Sequence, residues 1–351
     1  TDSPSDPDTD TFVDDAVPGL RGFATINALD RDGTTGGDGD TDPVVATSGA
    51  DMQAAIDEGG DAPLIIHVNG PIAHDAGRVV ISNRSNVSII GTSGDAELSG
   101  FGISITGGSN VIIRNLRIHH VQDDDQDGIR IADGSHHIWV DHCEIWNDGT
   151  GDSSSTPFDS LLDISNGADC ITVSWCIFRD HVKAMYVGAS DDATGDAGAL
   201  RVTFHHNRFS GVRPVALSIR FGRAHLFNNL FENPPAGEDP EGTAISARMG
   251  ACVRVEHNVF SGIASPTITD GSGAVTQGTQ DLAIPVDLAQ SSGSCQILDL
   301  VLGPLNLDLL GLQVHLDTVH LNLTAQAGAG NLVGNLLCAI AGLLDGPLPL
   351  S

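Results

Sequence analysis

The feature that most narrows what this chain can fold into is a short pattern repeated along its middle. Six segments, "NVIIRNLRI", "HIWVDHCEI", "CITVSWCIF", "RVTFHHNRF", "AHLFNNLF" and "VRVEHNVF", alternate apolar and polar residues and end on Ile or Phe. They recur every few tens of residues, between loops rich in Gly, Asp and Ser. A single strand of this length cannot bury its apolar face alone, so repeated strands stack and each coil covers the next. The 42 glycines and the 4% aromatic content suit tight corners and aliphatic layers. The expected architecture is all-β: a right-handed, single-stranded parallel β-helix followed by a small C-terminal module. A β-sandwich is the competing reading.

Aligned on their last residue, the segments put Asn207, Asn229 and Asn258 in one column. Stacked coils lie about 4.8 Å apart, so side-chain amides in one column can hydrogen-bond from coil to coil. Cys143 and Cys176 fill the same column in two earlier coils and are expected as buried thiols, with Cys170 and Cys252 also unpaired.

Domain boundaries follow composition. Residues 1–18 read as an acidic disordered linker and 19–272 as the solenoid. Residues 273–290, with "SGAVTQGTQ", read as a second linker, and 291–351 as a leucine-rich module of unknown role. The alternation in "LDLVLGPLNLDLLGLQVHLDTVHLNLTA" predicts a small antiparallel sheet. A short apolar helix over Asn331–Leu344 would cover it, and a Cys295–Cys338 disulfide would stabilise its small core.

Asp and Glu total 46 against 16 Lys and Arg, for a net charge of −30. That excludes a nucleic-acid partner, which needs a basic face. Acidic surface with scarce lysine suits concentrated salt, where a Debye length of roughly 3 Å at 1 M silences self-repulsion. The longest apolar run, "NLVGNLLCAIAGLLDG", is too short for a membrane span. The acidic opening "TDSPSDPDTDTFVDD" suggests a mature product freed of its leader, so a secreted monomer is expected.

Two acidic sets stand out: "DDDQDGIRI", with Asp125 and Asp127, and "FDSLLDIS", with Asp159 and Asp163. Each leads into a repeat strand, so the topology makes them neighbours. Four converging carboxylates repel unless a cation sits among them, and hard oxygen ligands select Ca²⁺. A merely solvated acidic surface fits the charge equally well. Lys183, in "FRDHVKAMYVG", is the single lysine of the chain.

From residue 22 to about 272 the chain closely resembles the calcium-dependent pectate lyases. The resemblance is carried by "GFATINALDRDGTTGGDGDTDP", "HIWVDHCEIW", "DSLLDISNGADCITVSWCIFRDHVKAMYVG", "RVTFHHNRF" and "IRFGRAHLFNN". It implies a parallel β-helix, calcium held by Asp127, Asp159 and Asp163 with Asp125 joining in some members, and a lysine at Lys183 that grips a substrate carboxylate. The implied substrate is α-1,4-polygalacturonate and the implied reaction is β-elimination, which yields 4,5-unsaturated products. Arg220 matches the second arginine of the family pattern Arg-x-Pro-x-x-Arg-x-Gly, as a catalytic and substrate-binding group. The first arginine, the family's base, aligns with Val215, and the nearest substitute is Arg213, two residues earlier and directly before Pro214. A bulge at Pro214 would help Arg213 span the gap of about 6.6 Å between positions two apart in a strand.

Three rivals remain in view. A polygalacturonase would carry Asn-Thr-Asp and Gly-His-Gly motifs, which are missing from the sequence. A pectin lyase would favour an aromatic cleft. A calcium-dependent pectate-binding protein would have lost its base at Val215. Trp139, Trp146 and Trp175 are expected as core or cleft-edge packing, and His205 and His206 as structural.

Overall fold

The computed structural model describes residues 19–37, 42–60, 62–75, 77–123, 125–147, 158–232 and 243–261, and strand backbone within 296–324. The 1–18 and 273–290 segments, the helix expected near 331–344 and the Cys295–Cys338 pair lie outside the described residues. The chain divides into two units, Thr1–Asp281 and Leu282–Ser351. In the second, strands Gln296–Leu302 and Val319–Thr324 pair antiparallel, as do Leu305–Leu309 and Leu312–Leu316.

The first unit is a parallel β-helix with three faces. One face is a nine-stranded sheet that includes Ser109–Arg114, His136–Asp141, Asp169–Ser174, Arg201–His205 and Arg223–Phe227. The other two faces belong to one bent sheet of thirteen strands. Its outer limb stacks Arg117–His119 on Glu144–Trp146, and its inner limb stacks Ile103–Thr106, Ile129–Ala132 and Leu162–Ile164. The long strands Ile177–Val187 and Arg208–Arg220 pass through both limbs.

Alternation decides which side chains go inside. Ile129, Leu162, Met185, Leu217 and Ile245 share one inward column, and Ile131, Ile164, Val187 and Ile219 share the next. All of these are buried. Each inward aliphatic side chain removed from water contributes roughly 1.5–3 kcal/mol. Aromatic rings use the same registry: Phe209 stacks on Phe178 at 5.4 Å and on Phe231 at 4.6 Å. One amphipathic helix, Gly49–Glu58, is capped by Ser48, whose side chain accepts from the Asp51 amide, and it buries Met52 and Ile56.

The amide column forms a continuous ladder. The amide N–H of Cys176 donates to Asn207 Oδ1 at 3.0 Å, that of Asn207 to Asn229 Oδ1 at 3.0 Å, and that of Asn229 to Asn258 Oδ1 at 2.8 Å. The Cys143 amide continues it to Cys176 Sγ at 3.4 Å. Cys143, Cys176 and Cys252 are free thiols, and Cys143, Cys170 and Cys176 are buried. The residue before each rung, including His142, Trp175, His206 and Asn228, has a left-handed backbone, an unusual cost for a bulky side chain that the ladder offsets.

The tryptophans separate by position. Trp139 is buried and its indole N–H donates to Ser174 Oγ at 2.8 Å. Trp146 stacks on His119 at 4.3 Å beneath the Arg179 guanidinium. Trp175 is 51% exposed. Its ring lies between those of His142 and His206. His205 is buried, and desolvation lowers its pKa to about 3, so it stays neutral.

Candidate active site

The acidic residues enter successive coils of the inner limb. Asp127 precedes strand Ile129–Ala132, while Asp159 precedes, and Asp163 lies within, strand Leu162–Ile164. Backbone bonds fix these coils together: the Asp159 amide donates to the Gln126 carbonyl at 3.1 Å, and the Ser160 amide donates to Asp127 Oδ1 at 3.0 Å. The Ser160 hydroxyl reaches the same oxygen. On Asp163, Oδ1 accepts from Ser165 Oγ at 2.6 Å.

Burial drives the electrostatics. Asp127 is 5% exposed, and desolvation pushes its pKa up to about 7 against the pull of Ser160, with Asp163 and Asp159 raising it further. Desolvation also raises Asp163, which feels Asp159 as well; Ser165 and Arg130 oppose the rise. Asp127, Asp159 and Asp163 therefore feel one another's charge. Asp125 has an exposed carboxylate 3.7 Å from Arg78 Nε. Arg78 also pairs with Asp123 at 2.7 Å and donates to the Asp127 carbonyl at 2.6 Å.

Among the described residues no three His, Cys, Asp or Glu side chains are drawn together as a ready metal cage. The donor chemistry nonetheless fits a hard divalent cation. Asp127, Asp159 and Asp163 offer only carboxylate oxygen, and Asp127, whose pKa is raised first by burial and then by the charges of Asp163 and Asp159, would gain from a cation beside it. One oxygen of Asp127 and one of Asp163 are engaged by serines, which leaves the second oxygen of each for a ligand.

Cationic groups stand along the same limb. Outward positions run in register from Arg130 to Asp163, Tyr186, Ser218 and Ser246. Two residues further along the strands, Arg220 pairs with Arg248. Arg220 Nε donates to Asp191 Oδ1 at 2.7 Å and Nη1 to the Gly188 carbonyl at 3.1 Å, with the guanidinium 5.4 Å from the Tyr186 ring centroid. Gly188 has φ +95, and a Cβ there would stand 2.8 Å from Arg220 Cβ, so only glycine admits Arg220 beside it.

Lys183 pairs with Val215 across neighbouring coils. Between the His181–Val212 and Lys183–Val215 pairs the register shifts, so strand Arg208–Arg220 holds one residue more than its partner. That is the irregularity expected at Pro214. The side chains of Lys183, Arg213 and Val215 lie outside the described residues.

Sequence reasoning passed over Arg130, Tyr186, Asp191 and Arg248. A signal for Arg248 existed: "SIRFG", containing Arg220, returns as "SARMG", containing Arg248. Tyr186 is the single tyrosine of the chain.

A three-faced parallel β-helix with carboxylates and arginines on one limb invites comparison with known proteins. The family model described as "Pectate lyase" matches residues 15–287. The chain belongs to the pectate lyase family. It is 37% identical over 253 residues to the pectate trisaccharide-lyase of Bacillus licheniformis, covering 71% of this chain and 70% of that one. It is 41% identical over 240 residues to pectate lyase A of Emericella nidulans, covering 68% of each. Against the probable pectate lyase A of Neosartorya fischeri the chain spans 65% of the relative's length. Among solved structures, a pectate lyase from a Bacillus species in complex with trigalacturonate superposes with a TM-score of 0.60 at 27% identity. That match covers 76% of this chain and 94% of the other. As a member of the pectate lyase family the chain is a polysaccharide lyase, and the family fold is the β-helix described above.

Proposed function

We propose that this pectate lyase family member is a secreted, salt-adapted, monomeric enzyme that cleaves α-1,4-polygalacturonate by calcium-assisted β-elimination, releasing 4,5-unsaturated oligogalacturonates. The observation that carries the reading is the shared field of Asp127, Asp159 and Asp163 on adjacent coils, on the limb that also bears Arg220. The trigalacturonate bound to the similar Bacillus lyase supports a uronate polymer as substrate.

Asp127, Asp159 and Asp163 would hold Ca²⁺, with Asp125 available from the preceding loop. Bound there, calcium supplies a Lewis acid that draws charge from the uronate carboxylate and makes the neighbouring C5 proton easier to remove. Lys183 adds a compact ammonium with three donors for that carboxylate. Arg220, held by Asp191 and Gly188, presents fixed positive charge where anionic character grows. The base removes the C5 proton and the C4 oxygen leaves with the bonding pair. Arg213 takes the base's part, from the strand whose register shifts between the His181–Val212 and Lys183–Val215 pairs. The acidic surface, with its net charge of −30, suits a salt-rich exterior.

One observation favours a second reading. The residue paired with Lys183, where the family places its base, is Val215. A protein that binds pectate through calcium without cleaving it would show this arrangement. Incubation with polygalacturonate in high salt, with calcium or with chelator, separates the two. A lyase generates unsaturated uronates in calcium alone; a binder sediments with pectate gel and generates none.

A further inference from the structure

Arg220 and Arg248 are equivalent residues of successive coils, each inside a Ser-x-Arg-x-Gly repeat: Ser218, Arg220 and Gly222, then Ser246, Arg248 and Gly250. Their guanidinium groups meet on one carboxylate. Arg220 Nε holds Asp191 Oδ1 at 2.7 Å, and Arg248 Nη2 contacts Asp191 Oδ2. Each oxygen of Asp191 is thus satisfied by a different arginine. The pair holds its pKa below the usual carboxylate range, through Arg220 first.

Asp191 belongs to the loop between strand Ile177–Val187 and strand Arg201–His205, and its side chain is 39% exposed. Neighbouring Asp196 anchors this loop, accepting from the Gly167 amide at 2.7 Å and the Ala189 amide at 3.2 Å. The Asp191 carboxylate itself is held chiefly by the two arginines. A solvent-reachable carboxylate clamped by two guanidiniums is interchangeable in chemistry with a uronate carboxylate presented to the same pair.

We propose that Arg220 and Arg248 form a two-guanidinium clamp for one uronate carboxylate of the substrate, and that Asp191 fills this clamp until the substrate displaces it. Arg248 is then a binding residue one coil beyond Arg220, and Asp191 is an internal competitor that sets affinity. The inference rests on the polygalacturonate reading above.

The test is titration of the full chain with trigalacturonate in chelator, which halts turnover, alongside KM and kcat on polygalacturonate in calcium. Asp191→Asn keeps the shape and removes the competing charge, so tighter binding and a lower KM are expected, each by about tenfold. Arg248→Gln is expected to weaken binding by a similar factor and to erase the effect of Asp191→Asn in the double variant. Asp191→Ser serves as a second competitor-free variant, and melting curves confirm that each variant is folded. Unchanged or weaker binding by both Asp191 variants, or a fall in kcat alone, would show that Asp191 only positions Arg220 and would overturn the clamp. If the unmodified chain bound no trigalacturonate and formed no unsaturated product in calcium, the polygalacturonate reading itself would fail, and the clamp with it. Binding without the Asp191 effect sinks the clamp alone.

Discussion

The amide and the hydroxyl of Ser160 both donate to one oxygen of Asp127 on the preceding coil. Two donors are not enough to offset burial, since the Asp127 pKa still stands at about 7 against an ordinary 3.8. The folded protein therefore keeps a proton that the unfolded chain sheds near pH 4. Stability from this group is full below pH 4 and is lost as pH rises toward 7. In chelator the melting temperature should fall across that window, by an amount on the order of 2–4 kcal/mol in stability. Calcium should reverse the fall, and Asp127→Asn should flatten both the pH slope and the calcium gain. Differential scanning calorimetry at pH 4 and pH 7, with and without calcium, reads all three.

Asn229 bonds in both directions along the ladder: its Oδ1 accepts from the Asn207 amide, and its Nδ2 donates to Asn258 Oδ1 and to the Phe204 carbonyl. Asn229→Ala removes these bonds and leaves buried partners unsatisfied. A loss of roughly 2–4 kcal/mol is expected in urea unfolding. Asn228→Ala, one residue away and solvent-facing, should cost less than half as much.

Gly188→Ala places a methyl group against Arg220 at a backbone conformation that disfavours it. Activity on polygalacturonate should fall about tenfold or more while the circular dichroism spectrum stays that of the parent.

The base is open to a direct exchange. Arg213→Ala should abolish formation of unsaturated products while calcium-dependent retention on pectate gel persists. Val215→Arg, which puts a guanidinium in register with Lys183, should retain or raise the rate. A fully active Arg213→Ala variant would transfer the role to another residue.

Much of the fold is legible because one period governs it. A column read by aligning segment ends, Asn207 over Asn229 over Asn258, is a physical column in the molecule, since parallel pairing holds the register from coil to coil. The placement of Asp127 on the coil next to Asp159 and Asp163 is legible for the same reason. What escapes is set by side-chain pairing between loops of unequal length. Arg78, from an earlier coil, pairs with Asp123 and Asp125 and donates to the Asp127 carbonyl, contacts that no alignment of segment ends shows. Asp191 lies in an irregular loop that no alternation predicts, so its bridge to Arg220 and Arg248 emerges only in three dimensions. Which of the three tryptophans would be exposed is also set in three dimensions, where a left-handed backbone turns Trp175 outward between His142 and His206.

The most direct measurement is the appearance of unsaturated uronates from polygalacturonate as calcium is titrated into metal-free protein in high salt, with Asp163→Asn beside the parent. Expected is a rate near zero in chelator that climbs to saturation with calcium, and a variant needing at least tenfold more calcium to reach its lower plateau. Equal rates in chelator and calcium, or a variant that titrates like the parent, would contradict a cation held by these carboxylates.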